Sequence, residues 1–150
     1  MKYWLVKSEP DEFSIDDLKR KKSEPWSGVR NYQARNYMRD GMRKGDGVLF
    51  YHSSCAVPGV AGVAEVATSA YADPTQFDPR SDYFDAGSPR DGPRWLMVDV
   101  KYKRKLKRVI TLTELKQHRE LDGMILLRPG NRLSVMPVTK AEWDFVLALE

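Results

Sequence analysis

The stretch from Trp95 to Leu106 limits the possible architectures, because its apolar residues recur at every second position. Successive side chains of a strand point to opposite faces of a sheet, so this period predicts a long strand buried on one face. The opposite face carries mostly charged or polar residues. The positions expected on the buried face are Leu96, Val98, Val100, Tyr102 and Leu106.

Shorter apolar segments predict the other strands of this sheet, and they are Lys2–Val6, Val48–Tyr51, Gly59–Thr68, Ile125–Arg128 and Leu133–Val138. Short helices are predicted from capping residues and from periodicity, namely after Ser14, Thr111 and Thr139 and over Asn31–Arg39. The proline- and aspartate-rich segment Asp73–Pro93 predicts a long surface loop. The pattern favours an α+β fold, in which a mostly antiparallel sheet curls into a β-barrel with short flanking helices.

Length and composition exclude several classes of protein. The 150 residues fit a single domain spanning residues 1–150. The longest run without a charged residue, Gly47–Ala64, contains polar side chains and a proline, so it lacks the ~20 apolar residues of a membrane span. The N-terminus has no signal-peptide core. A single cysteine, Cys55, excludes a disulfide framework, so we expect a cytoplasmic protein with no membrane partner.

The charges are distributed unevenly along the chain. The formal net charge is +4, and the three successive blocks of fifty residues carry +3, −4 and +5. Two basic ends and an acidic middle can fold into one positive face, which is typical of proteins that bind polyanions. The densest run, Lys101–Arg108, has six cations in eight positions. Its alternative interpretation is a solvated edge strand whose lysines oppose aggregation.

Few residues suggest catalysis. His52 and Cys55 lie three positions apart after a predicted strand, and they would need a mutual hydrogen bond and an orienting group to act as base and nucleophile. One cysteine and two distant histidines do not make a zinc site, and the aspartates of the 73–93 loop lack calcium-binding spacing. We therefore expect a protein that is not an enzyme and holds no metal or cofactor. A small enzyme acting on nucleotides through His52 and Cys55 is the alternative.

The segment Trp26–Asn36 is the most informative part of the sequence. It combines an aromatic residue, two arginines, two asparagines and a glutamine within eleven positions, a set that is unusual for a plain surface helix. On this and other motifs, in order and over essentially the whole chain, the sequence resembles the EVE domain of the PUA-like superfamily, which is related to YTH and ASCH modules. The other motifs are Tyr3–Pro10, Gly45–Asp46, Phe50–Ser53, Pro93–Trp95, Leu133–Val138 and Trp143.

The resemblance implies a curled barrel with a pocket at its mouth, which receives a modified base and performs no chemistry on it. A flipped base needs an aromatic face and polar groups along its Watson–Crick edge. Trp26 is the predicted stacking platform, with a core position as its alternative. Asn31 and Gln33 are predicted to read the edge of the base, or else to cap the backbone of Gly28–Arg30. Glu9 is predicted to accept a hydrogen bond from an exocyclic amine.

The remaining predicted site residues follow the ends of strands or flank Trp26. For Glu9, the alternative is an ion pair with Arg30 or Arg35. Ser8, His52, Ser53 and Ser134 are expected to complete the pocket, with Tyr51 in the core. The predicted phosphate contacts are Lys7, Arg30 and Arg35. Packing roles are predicted for Trp4, Trp95 and Trp143.

The leading hypothesis is a module that binds nucleic acid, either DNA or RNA, carrying a modified base such as a modified cytosine. Because the chain ends soon after its last predicted helix, we expect any effector activity to reside in a separate partner protein. A small-molecule sensor that uses the same pocket is the remaining alternative.

Overall fold

The computed structural model describes all 150 residues and is built around a mixed six-stranded sheet. The strands of the chain are β1 (Tyr3–Ser8), β2 (Ser23–Pro25), β3 (Gly47–His52), β4 (Gly59–Val66), β5 (Tyr71–Ala72), β6 (Leu96–Met97), β7 (Asp99–Thr111) and β8 (Val135–Val138). The sheet has the order β2-β7-β4-β3-β1-β8, and β5 and β6 form a separate pair. β1 and β3 run parallel, and all other neighbours are antiparallel.

Short helices flank the sheet. They are α1 (Ile15–Lys21), α2 (Tyr32–Asn36), α3 (Leu112–Leu115) and α4 (Lys140–Ala148), with a π-helical turn at Tyr37–Gly41 and 3-10 turns at Pro74–Phe77, Arg119–Leu121 and Ile125–Leu127. The predicted caps are confirmed, because Ser14, Thr111 and Thr139 each accept a hydrogen bond from a backbone N–H of the first helical turn. None of these helices is long and apolar enough to cross a bilayer.

Both faces of the central strands are buried. Trp4, Val48 and Phe50 point into a core that is covered by α1 and α2. Leu5 and Leu49, at alternate positions, point into a second core that is covered by α3 and α4. This double burial explains why β1, β3 and β4 are nearly continuous apolar runs rather than alternating ones.

The predicted α+β fold with its mostly antiparallel curled sheet is confirmed. The barrel remains an open half-barrel, because the outer strands β2 and β8 each pair with a single neighbour. The long alternating strand is also confirmed, although it divides at Val98 into β6 and β7. The carbonyl of Val98 accepts from the backbone N–H of Trp26 at 2.9 Å and thus joins the segment after β2 to the sheet.

The strand predicted at Ile125–Arg128 is wrong, since Ile125–Leu127 forms a 3-10 turn. The backbone N–H groups of Leu127 and Arg128 donate within the turn, to Met124 and Ile125 respectively. Buried Leu126 packs into the second core from this turn. A short apolar run has the same pattern in a strand and in a buried turn, so periodicity alone does not separate them.

The basic run Lys101–Arg108 lies on β7 and is largely neutralised. β2 pairs with β7 only over Asp99–Lys101, so most of the run is a free edge. Four of its six cations form ion pairs, Lys103 with Glu65, Arg104 with Glu150, Lys105 with Asp16 and Arg108 with Glu114. The solvated edge strand is therefore the better description of this run.

We expect Asp46→Ala to lower the free energy of unfolding by at least about 2 kcal/mol, because buried donors lose their acceptor. The Asp46 carboxylate accepts from the backbone N–H of Lys2 at 3.1 Å, the indole N–H of Trp4 at 3.0 Å and the backbone N–H of Arg43 at 2.9 Å. Urea denaturation measures the change. Asp122→Ala is the matched control at an exposed carboxylate, and an equal, small effect of both substitutions would contradict the prediction.

Candidate functional site

A cavity of about 530 Å³ opens at the edge of the sheet where β1 and β3 end. Because the two strands are parallel, their carboxyl ends lie at the same edge. The backbone N–H of Ser53 donates to the carbonyl of Ser8 at 2.9 Å, which extends the pairing beyond the strands. The backbone N–H of Lys7 donates to the carbonyl of Ser134 at 2.9 Å and brings the segment before β8 to the same place.

Five parts of the chain line this cavity: the segment from the end of β1 to α1, the segment from β2 to α2, the loop after β3, the loop between β5 and β6, and the loop before β8. The lining residues are Lys7, Ser8, Glu9, Glu12, Phe13, Glu24, Pro25, Trp26, Ser27, Gly28, Val29, Ser53, Ser54, Tyr83, Arg132 and Ser134.

Trp26 is both a core residue and a wall of the cavity. It is 9% exposed, and its ring meets Phe13 and Phe50 edge-on at centroid distances of 6.3 and 5.7 Å. No buried polar side-chain atom in the protein lacks a partner, and the Trp26 indole N–H makes no hydrogen bond within the chain. The indole N–H is therefore accessible from the cavity, while the rest of the ring is held by the core.

The cavity contains ionic groups of both signs without internal partners. The ammonium of Lys7 forms no ion pair, lies 6.0 Å from the centre of the Tyr51 ring, and has its pKa lowered by burial. Glu9 and Glu12 form no ion pairs either, so the alternative pairing of Glu9 with Arg30 or Arg35 does not occur. Only Glu24 is engaged, with Lys21 at 2.6 Å. The ammonium of Lys7 and the carboxylates of Glu9 and Glu12 are thus available to a ligand.

The structure brings six of the predicted site residues together in this cavity, namely Lys7, Ser8, Glu9, Trp26, Ser53 and Ser134. Asn31 and Gln33 lie outside it and line a second cavity of about 360 Å³. The Asn31 carbonyl oxygen accepts from the backbone N–H of Ala34 at 3.0 Å and caps α2. The Gln33 amide donates to the Tyr37 hydroxyl at 3.2 Å, so each side chain has a local partner.

His52 also lies outside the cavity lining. Its Nε2 accepts from the backbone N–H of Ile15 at 3.1 Å, so the imidazole caps the start of α1. Burial lowers the pKa of His52, which favours the neutral ring that this hydrogen bond requires. Cys55 makes no hydrogen bond to His52, so the pair lacks the contact that activates a thiol. No cluster of His, Cys, Asp and Glu side chains is arranged to hold a metal ion.

The guanidinium groups of Arg30 and Arg35 are occupied by contacts within the protein. All five N–H donors of Arg30 are used, by the carbonyls of Val29 and Tyr83, the Thr75 hydroxyl and the Asp73 carboxylate. Arg35 donates to the carbonyl of Arg94 at 2.8 Å and to the side chain of Asn36. Neither arginine lines the cavity, and Arg30 has no donor left for a phosphate.

Asp73 holds the cavity wall in place. Its fully buried carboxylate accepts from the backbone N–H of Gly28 at 2.8 Å, from Arg30 and from both donors of Thr75. Burial raises the pKa of Asp73, but the hydrogen bonds from Thr75, Gly28 and Arg30 outweigh it and leave the pKa below its usual range. Gly28 has a φ of +83°, and a Cβ there would lie 2.8 Å from the Tyr83 ring. This position requires glycine.

Several lining residues were not predicted. Tyr83 comes from the loop between β5 and β6, and Arg132 from the loop before β8, so their distance along the chain hides their proximity to Trp26. Glu12 and Phe13 lie just beyond the predicted Lys7–Glu9 segment. Their position between β1 and the cap of α1 could have predicted their place in the cavity. A chain that turns from the end of a strand into a helix stays near the end of that strand.

Because His52 accepts a backbone hydrogen bond only when neutral, we expect stability to fall as the pH drops below the usual histidine pKa of 6.5. The unfolded state binds a proton more readily than the folded state, so the contribution is complete above this pH and is lost below it. In His52→Gln, thermal unfolding followed across this range should lose that pH dependence. His118→Gln, at the other histidine, is the control. If the stability of both variants depends on pH as that of the native protein does, the role of His52 is contradicted.

The comparisons with known proteins agree with this architecture. The model of the EVE domain family matches residues 2–149. Human thymocyte nuclear protein 1 is 44% identical over 167 aligned residues, which cover 99% of this chain and 73% of that protein. A Pseudomonas syringae protein of known structure is 50% identical, with a TM-score of 0.94 and 98% of both chains covered.

The human THYN1 protein, solved in complex with DNA containing 5-methylcytosine, is 43% identical, with a TM-score of 0.94, and the match covers 99% of this chain and 97% of that one. The resemblance inferred from the Trp26–Asn36 segment and the other motifs is confirmed at the level of family and fold. The match of the family model over nearly the whole length supports the same conclusion. The chain belongs to the EVE domain family.

Proposed function

We propose that this protein binds nucleic acid carrying a modified base, and that a modified cytosine enters the cavity at the ends of β1 and β3. The observation that carries the proposal is the combination of the accessible Trp26 wall with the unpaired Lys7 and Glu9 in one cavity. The complex of the related human THYN1 protein with DNA containing 5-methylcytosine supports the choice of base.

The polar groups of the cavity match the edge of cytosine. Cytosine presents an amino group, which donates, beside ring nitrogen and carbonyl acceptors. Glu9 can accept from the amine, and Lys7 can donate to an acceptor on the same edge. The hydroxyls of Ser53 and Ser134 donate or accept as the base requires, whereas that of Ser8 donates to the carbonyl of Phe13 at 2.5 Å and can only accept from the base. The accessible indole N–H of Trp26 can donate to an acceptor on the base.

The apolar side chains of the cavity are suited to the methyl group of the base. Phe13, Trp26 and Val29 are the nearby apolar surfaces. Burying one methyl group is worth about 0.8 kcal/mol, which corresponds to an affinity ratio of about four. The methyl group therefore supplies a modest preference, and most of the affinity is expected from the rest of the base and from the backbone.

A base in a duplex is proposed to enter the cavity by flipping, because its Watson–Crick edge is covered within the stack. The cavity contacts described above are made to the base, so RNA that carries the same base is proposed as a ligand beside DNA. A separate effector protein is proposed as a further partner. The cytoplasmic location inferred from Cys55 stays a prediction, while the name of human thymocyte nuclear protein 1 refers to the nucleus.

We expect a single-stranded DNA oligonucleotide with one 5-methylcytosine to bind about fourfold more tightly than the same oligonucleotide with cytosine, because the methyl group is buried. Fluorescence anisotropy at two salt concentrations measures both affinities. Affinity should fall as salt rises for both oligonucleotides, while their ratio stays constant, since the methyl contact is not electrostatic. Equal affinity for the two oligonucleotides would overturn the proposal.

Glu9→Gln is expected to weaken binding of the methylated oligonucleotide about tenfold or more, because a charged acceptor of the base amine is replaced by a neutral amide. Glu120→Gln makes the same change at an exposed glutamate outside the cavity and should bind like the native protein. Binding of Glu9→Gln at native strength would remove Glu9 from the site. Trp26 is less suited to this test, since truncating a buried tryptophan costs about 3–5 kcal/mol of folding free energy.

A further inference from the structure

A second cavity adjoins the base cavity. It has a volume of about 360 Å³ and lies between the start of α2 and the loop that precedes β8. Arg132 lines both cavities. Two segments pass from one cavity to the other, because Val29 and Ser134 line the first and Asn31 and Leu133 line the second. The two cavities therefore lie next to each other, with Arg132 at the junction.

The two cavities differ in charge. The base cavity has two unpaired carboxylates, Glu9 and Glu12, beside two cations, Lys7 and Arg132, and its third carboxylate, Glu24, is paired with Lys21. The second cavity has two arginines, Arg128 and Arg132, and no carboxylate. The unpaired charges of the base cavity balance, whereas the two arginines of the second cavity attract a phosphodiester, so the backbone of a bound strand is directed toward the second cavity.

The arginines of the second cavity are available to a ligand. The side chains of Arg128 and Arg132 are exposed and make no ion pair or hydrogen bond within the protein. This separates them from Arg30, whose five donors are all occupied, and from Arg35, three of whose five donors are occupied. Arginine binds phosphate through parallel N–H donors, and two unpaired guanidinium groups on one wall suit successive contacts along a strand.

The polar lining of this cavity also has free hydrogen-bonding atoms. Asn31 uses its carbonyl oxygen to cap α2, which leaves its amide N–H groups free. Gln33 donates to Tyr37, which leaves its carbonyl oxygen free. A donor and an acceptor beside the half-buried ring of Tyr37 provide contacts for the sugar and base of a nucleotide.

We propose that the second cavity is a subsite for the nucleotide adjacent to the modified base, with the phosphate between the two nucleotides bound by Arg132 at the junction and the next phosphate along the strand bound by Arg128. This inference rests on the proposed function, because it takes the base cavity as the anchor of the strand. Asn31 and Gln33 thus contact nucleic acid, although they contact the neighbouring nucleotide and not the modified base. Recognition of the modification and contact with the backbone occupy separate cavities.

The test uses the double variant Arg128→Gln/Arg132→Gln with single-stranded oligonucleotides that carry 5-methylcytosine or cytosine. Affinity for both is expected to fall about tenfold or more, with the preference for methylation unchanged. The slope of log affinity against log salt should fall in magnitude by about 1.4, since each phosphate contact to a single strand contributes about 0.7. Binding of free 5-methyl-2′-deoxycytidine should be the same in the single variant Arg128→Gln and the native protein, because Arg128 lines only the second cavity, which the nucleoside does not reach.

Lys101→Gln/Lys107→Gln is the matched control, since it removes two exposed, unpaired cations from β7. If the slope of log affinity against log salt is the same in the arginine variant as in this control, the proposed subsite is wrong, even if the native protein prefers the methylated oligonucleotide. Lack of that preference in the native protein would instead overturn the proposed function. In that case the salt slope still decides whether Arg128 and Arg132 bind a nucleic-acid backbone.

Discussion

The parallel pairing of β1 and β3 is the arrangement on which the candidate site depends. Parallel strands end at the same edge of a sheet, so Lys7–Glu9 and Ser53–Ser54 meet there although more than forty residues separate them. Burial on both faces holds the two strands in register, since a slip by one residue would move Trp4 and Leu5 to opposite cores. The remaining antiparallel strands complete a half-barrel around this pair and leave its mouth open.

A second requirement is the buried carboxylate of Asp73, which fixes the wall opposite the strand ends. It holds the Gly28–Arg30 segment against the loop that carries Tyr83. As a result, every N–H donor of Arg30 is used in hydrogen bonds within the protein. In the same way, the acceptor nitrogen of His52 is used by the backbone N–H of Ile15 at the start of α1. Polar residues that look suited to a ligand are thus divided into those that build the cavity and those that remain free within it.

The free carboxylates lie only in the cavity proposed for the base, and this uneven distribution of charge gives the site a direction. Carboxylates surround the cavity proposed for the base, where an amine needs an acceptor. Unpaired arginines lie on the adjoining side, where a phosphate needs donors. The basic run of β7 does not take part, because most of its cations are paired with carboxylates. Net charge along the chain was therefore a weaker guide than the pairing of individual side chains.

Much of this protein follows from local sequence: the long alternating strand, the caps at Ser14 and Thr139, and the position of Trp26 beside a cavity. These features depend on period, on neighbouring residues or on family motifs, all of which are visible along the chain. The roles of Asn31, His52 and Arg30 depended on partners brought close by folding, as did the contributions of Tyr83 and Arg132. Hydrogen bonds and ion pairs act over a few ångströms in space, so their assignment required the tertiary structure.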